Sequence, residues 1–263
     1  MTDTQTLAAS PKPIIGKLTL PELWVCLKAG WRDFRAAPQF GLFFSAVYVL
    51  SGFFLIWIGA GHVSWTLVVS LGFPLAAPFA AVGLYEVSRC LEADEPLLWR
   101  NVLGVVWQER TRQVPWIGAV IVFYFLVWTF LAHMIFAVFM GLTTFTNIST
   151  SWEMFLTPNG LTMIAVEMIV GGALAFLMFS LTVVSLPLVL DKEIDFMTAM
   201  LLSLAAVRAN LWVMLVWAGT IAVLTFAALI PWFLGLMVVL PLLGHTTWHV
   251  YRRTLYHPLD DTP

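Results

Sequence analysis

Two histidines four residues apart, His245 and His249, are the first pair in this sequence whose spacing could do chemistry. On a helix, i and i+4 side chains share a face, and that is how a helix offers two imidazole nitrogens to Zn²⁺ or another transition metal. Glu86 and Asp191 could complete a ligand set if their helix ends reach the histidines, and Tyr85 and Arg89 flank Glu86. The same six groups could instead form a hydrogen-bonded staple between helices, as polar residues facing a membrane bundle often do. No Glu follows His245 directly, so the His-Glu-x-x-His arrangement of zinc hydrolases is missing. The second candidate is Glu167, the one acid deep inside an apolar run, with His133 at a similar expected depth on the preceding run. An ionised carboxylate in hydrocarbon costs about 3 kcal/mol or more, so it marks function unless a neighbour satisfies it. A His133–Glu167 pair, in contact directly or through one bridging water, is the expectation, and a protonated Glu167 bonded elsewhere is the alternative. Serine nucleophiles and phosphate loops leave no signature, and Gly171-Gly172 reads as close helix packing.

The elements that must position these groups follow from composition. Of 263 residues, 60% are apolar and 11% charged, against roughly 25% charged in a soluble domain. Six apolar runs, at about 39–59, 63–86, 115–140, 160–190, 211–230 and 232–250, each approach the roughly 20 residues that cross a bilayer. No alternating ten-residue segments argue for a barrel. The expected fold is an all-α polytopic membrane protein: six transmembrane helices as three hairpins, with amphipathic interfacial helices on the cytoplasmic side. The fourth run is too long for one straight span and must tilt or protrude. Residues 1–18 read as a mobile polar tail without a secretory signal, residues 19–255 as the membrane domain, and 256–263 as a short C-terminal tail.

Charge placement orients the runs. All 13 Lys and Arg fall before run one, between runs two and three, between four and five, or after six. The stretches near 59–62, 141–159 and 229–231 carry none. The positive-inside bias therefore puts both termini in the cytoplasm. Trp24, Trp31, Trp99, Trp107, Trp116, Trp212 and Trp248 fall near the inner boundary, and Trp57, Trp65, Trp152 and Trp232 near the outer one. Trp128 and Trp217 sit mid-run and read as packing. On the inner side Leu20, Leu23, Trp24, Leu27, Trp31 and Phe34 recur at helical spacing behind a Thr19-x-x-Glu22 capping box. Trp99, Val102, Leu103 and Val106 repeat the pattern, as do Ile194, Met197, Leu201 and Leu204. These segments read as helices lying in the interface. Pro74 and Pro78, Pro187 and Pro241 follow in the second run of each pair, so the chain reads as three loose copies of one unit. Cys26 and Cys90 map to the reducing side and read as buried and unbridged.

Four strings stand out together: Gly30-Trp-Arg-Asp-Phe-Arg-Ala-Ala-Pro38; Gly72-Phe-Pro-Leu-Ala-Ala-Pro-Phe-Ala-Ala-Val-Gly-Leu-Tyr-Glu-Val-Ser-Arg89; Leu186-Pro-Leu-Val-Leu-Asp191 with Ala206-Val-Arg-Ala-Asn210; and Pro241-Leu-Leu-Gly-His-Thr-Thr-Trp-His-Val-Tyr-Arg252. In this order they resemble a bacterial family of integral membrane proteins catalogued as a domain of unknown function, over most of residues 22–255. The resemblance implies an inner-membrane location and no established activity. Some members carry a cytochrome c oxidase label. A haem–copper centre needs several histidines on facing helices, and of the five here His62 and His257 lie at or beyond the run ends, so the label does not carry over.

Three function classes remain. A non-enzymatic scaffold, assembly factor or accessory subunit comes first. A small-solute permease is the alternative, with the prolines breaking helices around a midplane site. A metal- or haem-binding protein associated with respiration is the third. No cofactor is expected, and His245 with His249 is the candidate pair should a transition metal bind. The partners expected are the lipid bilayer and other membrane proteins. A net charge of −2 gives no sign of a nucleic-acid partner.

Overall fold

Thr19 accepts the Glu22 backbone N–H while the Glu22 carboxylate accepts from the Thr19 backbone N–H at 2.8 Å, and this capping box starts α1, Leu20–Ala36. Pro38 ends it, because a residue before proline is pushed out of the helical region, and Ala37 sits at φ −138°, ψ 57°. The chain then turns by 97° into α2, Pro38–Trp57. The computed structural model describes residues 13–57, 63–141 and 152–256, with side chains undescribed at 55–56, 63–76, 152–153 and 256. His62, His257 and the side chains of Trp65, Pro74 and Trp152 thus lie outside the described residues.

The helices continue as α3 (Val63–Glu92), α4 (Trp99–Glu109), α5 (Val114–Met140), a 3₁₀ turn (Trp152–Leu156), α6 (Pro158–Thr182), α7 (Ser185–Asp191), α8 (Phe196–Ala209), α9 (Leu211–Leu229) and α10 (Leu236–Thr254). The order is a short helix followed by two longer ones, three times over. The packing repeats as well. Each short helix lies on the second long helix of the preceding unit: α4 on α3, α8 on α6 and α7, and α1 back on α10. Likewise α5 packs on α3 and α2 on α10, whereas α9 leans on α10 and meets α6 at few points. The third seam is the loose one.

Three described segments are long and apolar enough to cross a membrane, Val114–Met140, Pro158–Asp191 and Leu211–Leu229, and the bent pair Leu20–Ala36 with Pro38–Phe54 could supply a fourth. Six were expected. The sixth run begins later than its hydropathy suggests, because residues 230–235 form turns with Trp232 and Phe233 at φ 52° and 64°. Helix α10 is also half polar, since its last turns carry both histidines, Arg252 and Arg253. The first half of α3 lies outside the described side chains.

The overlong fourth run breaks. The Pro187 ring would collide with the carbonyl four residues back, and helix α6 stops at Thr182. At the break the Ser203 hydroxyl of α8 inserts into one rung of the ladder, donating to the Ser180 carbonyl at 2.8 Å and accepting from the Val184 N–H at 3.1 Å. Pro78 and Pro241 sit inside helices that run through.

Residues 13–18, expected in a mobile tail, are held in place. Ile14–Ile15 pair antiparallel with Leu255–Tyr256 as a two-stranded ribbon, β1 with β2. Asn210 accepts the Leu18 N–H at 2.7 Å and donates to the Gly16 carbonyl at 3.0 Å, and the Lys17 ammonium donates to the Ala209 carbonyl at 2.7 Å. This strap fastens the α8–α9 junction to the end of α10.

Helix α1 approaches α10 closely at Gly30. A Cβ on Gly30 would stand 2.6 Å from the Thr246 backbone nitrogen and 2.9 Å from its Cα, atoms that cannot swing aside. Gly30→Ala should therefore destabilise by about 1–3 kcal/mol, the usual range for overpacking. Gly104→Ala, where a Cβ meets nothing within 4 Å, should stabilise by up to about 1 kcal/mol through helix propensity. SDS-titrated unfolding of the two variants in mixed micelles checks both signs.

Candidate functional site

Helix α10 carries the polar face that the sequence singles out, and α1, α2, α3, α7 and α9 surround it. His245 is fully buried, with Nδ1 2.8 Å from the Ser88 hydroxyl of α3 and Nε2 without a partner among the described residues. His249, one turn on, points to a different neighbour: its Nε2 lies 2.7 Å from Oδ2 of the buried Asp33 on α1. Trp248 is buried too and donates its indole N–H to Glu92 at 2.8 Å. This tryptophan was expected at the interface. Tyr251 donates to Asp191 of α7 at 2.7 Å, and Arg252 donates to Glu92 at 3.2 Å.

The other expected members divide. Helices α3, α7 and α10 pack on one another, but Glu86 turns to its own helix, where Arg89 holds it through Nε at 2.8 Å and a terminal nitrogen at 2.9 Å. Arg89 also reaches Glu95 at 2.9 Å, beyond the end of α3. Tyr85 is buried in the central apolar cluster. Glu86 and Asp191 thus face Arg89 and Tyr251 rather than the histidine pair. Among the described residues no three His, Cys, Asp or Glu gather closely enough to hold a metal ion. The arrangement ties α10 to three neighbouring helices through side-chain hydrogen bonds.

No direct hydrogen bond joins His133 and Glu167 among the described residues. His133 Nδ1 lies 2.7 Å from the Thr129 carbonyl one turn back on α5. Glu167 makes no hydrogen bond or ion pair among the described residues, with His133 or any other group. Similar expected depth on neighbouring helices does not by itself fix the rotation that a direct contact needs. Glu167 instead sits on the wall of an apolar cleft between α5, α6 and α9.

Several functional-looking groups escaped sequence reasoning. Asp33 was discoverable, since it continues the buried stripe Leu23, Cys26 and Gly30 of an amphipathic helix. Ser88, Ser203 and Asn210 carried no such signal. Glu109 closes α4 almost fully buried; burial pushes its carboxyl above the usual range while Arg112, 3.1 Å away, pulls the other way. Both cysteines are free and buried. Burial is the main cause that pushes the Cys26 thiol up to about 11 and Cys90 up to about 12, so neither carries thiolate at neutral pH.

A family model described as "Predicted integral membrane protein (DUF2189)" matches residues 66–191, from within α3 to the end of α7. It is the family of integral membrane proteins of unknown function that the sequence resembles. Glu86, Asp191 and Glu167 lie inside the matched stretch, while Asp33, His245 and His249 lie outside it. No curated protein and no solved structure matches the chain.

Asp33 and His249 are 4% and 15% exposed, so water can replace either partner only in part. The single changes Asp33→Ala and His249→Ala should each lower stability, and their effects should not add. A double-mutant cycle by SDS-titrated unfolding is expected to give a coupling of about 1–3 kcal/mol; a value near zero would show that the contact contributes nothing.

Proposed function

We propose that this protein is a non-enzymatic scaffold or accessory subunit of a bacterial inner membrane, crossing it six times as three hairpins with both termini in the cytoplasm. The observation that carries this reading is how differently the two ends of its chemistry are used. Around α10 the polar groups chiefly satisfy one another, leaving little free to act on a substrate. On α5, by contrast, only 6% of the most apolar window is buried. Phe123, Val127, Phe130, Met134 and Val138 form one uncovered stripe along it, with Phe130 72% exposed. Spacings of three and four residues put these side chains on a single helix face. Such a face fits the packed, largely apolar contact through which membrane helices associate.

The six-span topology has its own support. The outward stripe of α1 interleaves Trp24, Lys28, Trp31 and Arg35, and all four are exposed. Aromatic rings with long cations are what the headgroup region accommodates. Reporter fusions at Asp94 and Asp195 should give a cytoplasmic signal, and fusions at Ser149 and Pro231 a periplasmic one. A cytoplasmic signal at Ser149 would remove the six-span arrangement.

The scaffold reading is tested by a photo-crosslinking amino acid at Phe130 in native membranes, compared with one at the buried Ile117. A discrete protein adduct from position 130, weakened by Val127→Trp or Met134→Trp, is expected. Adducts to lipid alone would overturn the reading.

A further inference from the structure

The loose third seam contains a cleft of about 560 Å³ between α5, α6 and α9, within the range of small-molecule sites. Its walls include Tyr124, Phe125 and Trp128 from α5 and Phe226 from α9, and Glu167 is the one carboxylate among the described residues lining it. Glu167 is the tenth residue of α6, which at 1.5 Å per residue puts it roughly 14 Å along the helix, far from either end. Two features define the cleft. Tyr124 donates across the pair to the Leu174 carbonyl at 2.6 Å, which pins α6 to α5. Gly172, on the cleft wall, has no atom within 4 Å of where a Cβ would stand.

The chemistry of these walls selects one class of occupant. An ionised carboxylate among apolar side chains is strongly disfavoured unless a counter-charge joins it, and Glu167 has no partner among the described residues. Aromatic faces attract cations through their quadrupole, most strongly where water is excluded. A neutral acyl chain would use the aromatic walls and leave the carboxylate alone. An anion would be repelled. We propose that this cleft is a binding site for lipophilic organic cations, molecules with a large apolar body and a single positive charge, entering from the bilayer. Glu167 supplies the counter-charge, and the aromatic residues of α5 and α9 supply the contact surface. The proposal does not depend on the scaffold reading, which concerns a different face of α5.

The experiment is equilibrium dialysis of radiolabelled tetraphenylphosphonium against the full-length protein in nanodiscs, with empty nanodiscs as the blank. One saturable site per chain is expected, with tetraphenylborate, the anion of the same shape, failing to compete. Glu167→Gln should weaken binding at least tenfold, and Glu167→Asp should retain more affinity than Gln. Gly172→Trp should abolish binding by filling the cleft while the chain still elutes as a single species on size exclusion. Uptake that does not saturate in the wild type, equal affinity for tetraphenylborate, or unchanged affinity in both Glu167→Gln and Gly172→Trp would each overturn the proposal.

Discussion

A helix carrying two histidines, three threonines, a tryptophan and two arginines within its last ten residues is a poor lipid-facing element, yet α10 is the hub of this bundle. Its position depends on α1 lying against it closely enough to replace lipid with protein. Gly30 permits that approach, since any side chain there would meet the Thr246 backbone. Once α1 is in place, Asp33 reaches His249 and Glu22 comes within 3.7 Å of Arg253. The ribbon at Ile14–Ile15 then fixes the chain ahead of α1 to the end of α10. Unsatisfied polar groups in a low-dielectric interior are expensive, so the contact and the polar network stabilise each other.

The ring of three units is uneven for local reasons. Two of the second helices, α3 and α10, continue through their prolines, while the middle one breaks at Pro187 into α6 and α7. The break turns Leu186, Leu188 and Val189 into the central core and lets α8 lock the joint through Ser203. It also leaves α6 bound chiefly to α5 and α8, with α9 drawn toward α10. The cleft beside Glu167 opens at that seam. A repeat that closes tightly at two seams and loosely at the third separates a structural end from an end with room for something else.

The polar groups around α10 and the uncovered apolar face of α5 are therefore different in kind. Hydrogen bonds around α10 are largely internal and fix its geometry. The α5 face and the neighbouring cleft carry few such bonds among the described residues.

How much of this was legible beforehand depends on how local the determinant is. The capping box at Thr19 and Glu22, the exposure of Trp24, Trp31, Trp57, Trp107, Trp116, Trp212 and Trp232, and the burial of both cysteines follow from neighbouring residues and hydropathy. The all-helical membrane class follows from composition, because so few charged residues cannot clothe a soluble surface. Partner choice could not be read this way. Glu86 and His245 share an end of the bundle, but helix rotation gives Glu86 to Arg89 and His245 to Ser88. Trp248 left the interface for the core because α1 and α3 close around α10, an event encoded in Gly30 and visible only when the helices are assembled. The sequence by itself determined which segments are helices and which faces avoid water, since both depend on short-range periodicity. Helix rotation and the pairing of polar groups between helices were decided by tertiary packing, because contacts such as Ser88 with His245 and Asp33 with His249 join residues more than a hundred positions apart in the chain.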